Sequence, residues 1–145
     1  MTGSALKAAL KIGVSARTVF YGLVPAIADL NETHLFNPLW SEHERFHGAW
    51  FLAFAAGIAL IALFLIWVRD DVLLPIMFGL IFVAAFWVAT VFGSSYGGAL
   101  VDENGYVQRV LGIESNMFLF SVVGSLLLIA LVLASRVSGE RQMRD

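Results

Sequence analysis

The sequence predicts an all-α polytopic membrane protein, a bundle of four transmembrane helices, and three observations carry that prediction. Hydrophobic residues make up 59% of the chain and charged residues 14%, where a soluble domain carries about 25% charged residues. The mean hydropathy is +0.83. Most telling is the spacing of the charges. No Asp, Glu, Lys or Arg stands between Arg45 and Arg69, between Asp71 and Asp102, or between Glu114 and Arg136. A helix rising about 1.5 Å per residue needs roughly 20 apolar residues to cross about 30 Å of hydrocarbon. A chain of 145 residues is too short to surround three wholly apolar helices with polar ones. A membrane β-barrel would show alternating segments of about ten residues, and none occurs.

Helix one is expected at about residues 10–30. Lys7 and Lys11 lie at its start, Arg17 lies within it, and Pro25 is expected to bend its far end. It lacks a convincing small-residue cleavage site, so it reads as a span rather than a signal peptide. A polar and aromatic connection, residues 29–45, follows. Asn37-Pro38 marks a turn there, and Ser41 with Glu44 has the spacing of a capping box. Helix two should run over 42–67. Arg69-Asp70-Asp71 is a very short connection, so helices two and three form an antiparallel hairpin. Helix three is expected at 72–93, with Pro75 in its first turn, where a missing N–H costs little. In the second long connection, 94–115, Gly97-Gly98 and Asn104-Gly105 signal turns. Tyr106 to Leu111 is expected as a short interfacial helix. Helix four covers about 116–134, and the tail beyond Arg136 is expected to fray. The whole, 1–145, reads as one membrane domain. Small-residue ridges at Ala49, Ala53 and Ala56 and at Ala85, Ala89 and Gly93 are expected to let helix backbones approach closely.

Lys7, Lys11, Arg69, Arg136, Arg141 and Arg144 fall at one end of this arrangement, and Arg45 and Arg109 at the other. The positive-inside rule then places both termini in the cytoplasm and the long connections outside, as in a bacterial inner-membrane protein. Asp29, Glu32, Glu42, Glu44, Asp102, Glu103 and Glu114 share the outer side. The chain has no cysteine, which excludes disulfides and thiolate chemistry, and its net charge of −2 gives no reason to invoke nucleic acid.

The three histidines, His34, His43 and His47, lie within fourteen residues. His43 and His47 are four apart and share a helical face, which Trp50 continues. Three readings remain open. The histidines with Glu44 or Glu32 could bind zinc or iron. The letters of HExxH are present at His43, Glu44 and His47, but a zincin needs a third ligand and a cleft. Alternatively His47 with Glu44 or Glu32 is an acid–base pair for a lipophilic substrate. In the third reading the cluster is structural, tying the outer connections to the helix ends. A haem held by two of these histidines is a further cofactor option. Arg17 snorkels, or binds an anionic ligand or lipid with Tyr21 one turn on. Asn37, Trp50, Tyr96 and Asn116 complete the candidate ligand-binding set, with Thr90, Ser121 and Ser125 as further lining of an outer pocket.

The run THLFNPLWSEHERFHGAW, Thr33 to Trp50, resembles small four-helix membrane proteins of bacteria and fungi. In those a Thr-His, an Asn-Pro and a His-x-x-Phe-His stand between helices one and two, and Ser95-Tyr96-Gly97-Gly98 fits the same group. The resemblance implies the four-helix fold. A more distant similarity is to membrane isomerases and sterol-binding proteins of the emopamil-binding type, which implies histidine and acidic residues in a membrane cavity. The expected function is a membrane binding or accessory subunit with a polar His/acidic site at the outer interface. The alternative is a small enzyme acting on a lipophilic substrate. Expected partners are lipid, a lipophilic small molecule, and further copies of the chain or a larger membrane complex.

Overall fold

A computed structural model describes residues 3–101, 105 and 107–142. The elements are α1 (Gly3–Thr18), a π-helical turn (Val19–Leu23), α2 (Val24–Ala28), α3 (Glu42–Trp67), α4 (Leu73–Tyr96), β1 (Arg109–Val110), β2 (Ile113–Glu114) and α5 (Ser115–Gln142). Among the described residues four helical stretches are long and apolar enough to cross a membrane: Ser4–Ala28, Glu42–Trp67, Leu73–Tyr96 and Ser115–Arg136. The protein is thus an all-α transmembrane four-helix bundle. α1 packs against α3 and α5, and α4 packs against the same two. The spans therefore form a ring in chain order, alternately up and down. One end of the bundle, the terminal end, carries both termini and the turn between α3 and α4. The other, the loop end, carries the two long connections.

The first span departs most from expectation. It begins at Gly3, about two turns before Leu10, because Ala5, Leu6, Lys7, Ala8 and Ala9 are all good helix formers. Its regular α-helix is interrupted before Pro25 by the π-helical turn Val19–Leu23. Pro25 has no N–H for the carbonyl of Tyr21, and its ring crowds that carbonyl. The helix answers by widening one turn earlier, where the Val24 N–H bonds the Val19 carbonyl, and then resumes as α2. Arg17 turns its Nη1 back to donate to the Gly13 carbonyl.

α3 starts where expected, on a formed capping box. The Glu44 N–H donates to Ser41 Oγ at 3.3 Å, and the Ser41 N–H donates to Glu44 Oε2 at 2.6 Å. α4 runs to Tyr96 and ends on Gly97, whose φ of 78° is left-handed, as a helix stop of this kind requires. In place of the expected helix ending at Leu111 there is a two-stranded hairpin, with Arg109 paired to Glu114 and Val110 to Ile113. Leu111 and Gly112 at its tip have φ of 53° and 81°, the pair of positive values that a tight two-residue hairpin turn demands. Asp102, Glu103, Asn104 and Tyr106 lie outside the described residues. α5 continues helical past Ala134 to Gln142 instead of fraying after Arg136.

The core is continuous only in the terminal half. Leu10 and Val14 of α1, Ile66 of α3, Ile76 of α4, and Ala130 and Ala134 of α5 meet there. Below them Asp70, in the α3–α4 turn, is gripped by Lys7 and, at 3.3 Å, by Lys11. The hydrogen bond from Lys7 holds the Asp70 carboxyl below the usual carboxylate range, against a smaller desolvation cost. Lys11 also lies over the Trp67 ring, whose Nε1 donates to Ser15 at 3.0 Å.

The small-residue packing is real but is not on the expected faces. Ala49 and Ala53 of α3 point outward, and the buried row is Ala55, Ala59 and Ala62. The helical face was misassigned because every face of α3 is apolar, so periodicity cannot single one out. Gly22 of the π turn sits on that row. A β-carbon there would be 2.5 Å from Ala59 Cβ and 3.1 Å from the Ala55 carbonyl. Gly22→Val is therefore expected to destabilise the protein by about 1–3 kcal/mol through overpacking. Reversible unfolding in mixed micelles would show it, and a wild-type midpoint would contradict this crossing.

Candidate functional site

In the loop-end half the four spans do not close around one continuous core. The π turn brings Phe20 and Tyr21 to face α4, and there a cavity of about 590 Å³ opens between all four spans. Small-molecule pockets commonly have about 300–1,000 Å³. Its walls are overwhelmingly apolar: Phe20, Val24 and Pro25 from the first span, Phe51 and Phe54 from α3, Ile81, Phe82, Ala85, Phe86 and Ala89 from α4, and Leu119 and Phe120 from α5. Ring stacking sets the shape. Tyr21 stacks on Phe82 at 4.8 Å, Phe51 lies 6.3 Å from Phe82, and Phe86 stacks on Phe120 at 4.1 Å. Tyr21 itself is buried, with its hydroxyl 3.5 Å from the Thr18 hydroxyl. On α4 the row Ile81, Ala85, Ala89 contributes space rather than contact. Ala85 and Ala89 were expected to bring helices together, and instead they hollow out the wall; Gly93 of that row is buried.

The polar groups gather at one end. Asp29, His34 and Asn116 line the cavity beneath the first connection. His34 Nε2 stands 4.0 Å from Asp29 Oδ1. On its other side, His34 Nδ1 is 2.9 Å from the Thr33 hydroxyl and 3.3 Å from Asn31 Oδ1. Asn31 organises this corner. Its Nδ2 donates to the Ala28 carbonyl at 2.6 Å, and its Oδ1 accepts from the Thr33 N–H at 2.8 Å. The Leu35 N–H then reaches back to the Asp29 carbonyl at 3.1 Å. Burial pushes the Asp29 carboxyl above the ordinary carboxylate range, and the nearby His34 opposes that shift. Asn116 Nδ2 donates to Glu114, whose carboxylate also accepts from the Asn116 and Met117 N–H groups and so caps α5.

Of the residues singled out in the sequence, Tyr21, His34 and Asn116 meet at this cavity. The others do not. His43 and His47 face away from it, exposed, with their Nε2 atoms 3.1 Å apart. His34 is therefore not joined to them as a metal trio. Among the described residues no group of three His, Asp or Glu is placed to hold a metal ion. Glu44 is occupied by the capping box rather than by His47, and Glu32 is exposed on the loop. Trp50 extends the outward face of His47, at 5.9 Å between rings. Asn37 is buried, and its Oδ1 accepts from the Leu39 N–H at 3.0 Å, a turn-forming role. Tyr96 donates to the Ala89 carbonyl at 2.6 Å and Thr90 to the Phe86 carbonyl at 2.9 Å. Ser121 and Ser125 lie along a separate shallow groove with Trp87 and Met117. Arg17 is not among the cavity residues.

Sequence reasoning missed Asp29 as a partner for histidine, and missed the phenylalanines altogether. Asp29 and His34 are five residues apart on a loop, a spacing with no regular meaning. The phenylalanines Phe51 and Phe54, or Phe82 and Phe86, are at helical spacing, which in an apolar span looks like any lipid-facing surface.

Because its folded pKa is raised, ionised Asp29 works against folding above the ordinary carboxylate value of 3.8. Asp29→Asn should therefore raise the thermal midpoint at neutral pH. The gain should fade as pH falls toward that value, where the wild-type carboxyl is neutral too. A variant less stable than wild type at neutral pH would contradict the raised value.

Residues 12–135 match the model of a family of unknown function, DUF6640. No curated protein and no solved structure matches the chain. The matched region runs from within the first membrane span to the last residues of the fourth, and the chain belongs to the DUF6640 family.

Proposed function

We propose that this chain is an integral membrane binding protein for a lipophilic small molecule with one polar end. The observation that carries the reading is the cavity of about 590 Å³, rich in aromatic rings, with Asp29, His34 and Asn116 at its polar end and the Tyr21 hydroxyl beside Thr18. A hydrocarbon or ring system laid against Phe51, Phe82, Phe86 and Phe120 gains dispersion contacts that straight lipid chains outside do not supply. A hydroxyl or carbonyl at its end finds an acceptor in Asp29 and donors in His34 or Asn116. Lysine and arginine are absent from the lining, so the site favours a neutral head over an anionic one. In this reading both termini lie in the cytoplasm. Lys7, Lys11, Arg69 and Arg136 at the terminal end, against Arg45 and Arg109 at the loop end, support that orientation. The polar end of the cavity then sits at the outer interface of the membrane.

A second reading rests on a specific contact, the 4.0 Å approach of His34 to Asp29 at the polar end of an apolar cavity. A carboxylate that orients an imidazole is the arrangement of an acid–base catalyst. It replaces His47 with Glu44 as the pair to test. Incubation of the protein with its co-purifying lipid in heavy water separates the two readings. Deuterium transferred into carbon positions of the lipid, and lost in His34→Gln, supports proton-transfer catalysis; unlabelled lipid supports binding alone.

The binding reading is tested by filling the cavity. Ala85→Phe should weaken binding of a dansyl-tailed fatty alcohol by about tenfold or more, equivalent to about 1.4 kcal/mol, read as energy transfer from tryptophan. Affinity unchanged by Ala85→Phe would contradict the site.

A further inference from the structure

We infer that the cavity is loaded sideways from the bilayer, through a portal between α3 and α4 in the loop-end half. The inference rests on the binding reading and adds the route and the source of the ligand. It follows from comparing the seam between α3 and α4 with the loop end, with the seam between the first span and α3, and with that between α4 and α5.

The seam between the first span and α3 is shut by Gly22 lying on Ala55 and Ala59, with no room for a β-carbon. The seam between α4 and α5 is shut by the stacked rings of Phe86 and Phe120 at 4.1 Å. One turn deeper, Gly124 lies against Val83, where an added β-carbon would stand 2.9 Å from Val83 Cγ1. The loop end is covered in part by the first connection and is polar, with 52% of the His34 side chain exposed. Asp29 and His34 of the first connection line the cavity, and the connection is pinned by its own hydrogen bonds from Asn31 and Leu35. Leu35 and Trp40 press it onto α3 at Gly48, where an added β-carbon would meet them at 3.2 and 3.3 Å.

The seam between α3 and α4 is different. It is packed at the terminal end, by Ile66 and Ile76. Above that, its two lips line the cavity and are open to the surroundings at once: Phe54 is 57% exposed and Ile81 63%. Ala85 and Ala89, on the same face of α4, are exposed too. Between Gly79 and Gly93 α4 has no buried residue. These positions lie well inside the two membrane spans, so the medium at the opening is hydrocarbon. A lipophile passing there never exposes its apolar surface to water, whereas a path past the polar loop end would cost about 25 cal/mol for each Å² wetted.

The test is kinetic. The full chain is reconstituted in phosphatidylcholine vesicles, and the dansyl-tailed fatty alcohol is delivered from a second set of vesicles. Ile81→Trp should narrow the portal. Association and dissociation should both slow by about tenfold, the effect of about 1.4 kcal/mol on a barrier, a joint slowing that a change in affinity alone would not give. Phe54→Trp, on the opposite lip, should act in the same way and stands in where Ile81→Trp does not fold. The wild-type association rate should follow the mole fraction of probe in the membrane and not its aqueous concentration. Wild-type rates in both variants, or a change confined to dissociation, would overturn the portal while leaving the binding site in place. Absence of saturable binding by the wild type would overturn the binding reading, and the portal with it.

Discussion

Gly22 on the Ala55–Ala59 row is the contact on which the rest of the structure depends. Within a membrane, helices gain no hydrophobic drive by meeting, since lipid is as apolar as they are. What holds them is close packing, and close packing needs small residues where backbones cross. Here the crossing leaves no space for a side chain on Gly22. It joins the loop-side half of the first span to the middle of α3. On its terminal side Leu10, Val14, Ile66 and Ile76 close the core, and Lys7 and Lys11 tie the α3–α4 turn to the first helix through Asp70. On its loop side the spans surround the cavity.

The π turn links that packing constraint to the cavity. Pro25 removes one helical hydrogen bond, and the extra residue accommodated before it turns Tyr21 and Phe20 toward α4. Insertions of this kind recur at functional sites. Tyr21 then closes the bottom of the cavity against Phe82, and Gly79 makes room for it, since a β-carbon there would lie 2.9 Å from the Tyr21 ring. The same span leads out at Ala28 into Asp29 and the Asn31 turn, which deliver His34 to the cavity's polar end. One continuous stretch of chain, from Thr18 to His34, thus builds the floor, one wall and the polar end.

Much of the fold was legible in the sequence, because charge spacing in a membrane protein is a strong and local signal. Ser41 and Glu44 announced the start of α3, and the charge-free intervals announced three spans. The start of the first span was less clear. Lys7 and Lys11 read as its boundary, yet they are accommodated within the helix by pairing with a distant turn. The site was only partly legible. His34, Tyr21 and Asn116 stood out as polar or ionisable residues beside apolar spans. The helical proximity of His43 and His47 suggested a site, but in α3 that face turns outward. Spacing on a uniformly apolar helix says which residues share a face. It does not say which face turns inward. Asp29 and the ring of phenylalanines become visible only when four segments distant in sequence are brought together.

On the proposed reading, the loop-end half of the bundle is hollow so that it can hold a lipophile. A density map of the chain in a lipid nanodisc tests it most directly. The account predicts elongated non-protein density lying along Phe82, Phe86 and Phe120, with one end at Asp29 and His34. A cavity collapsed so that Phe51, Phe54 and Phe86 fill it, with no density between them, would contradict it.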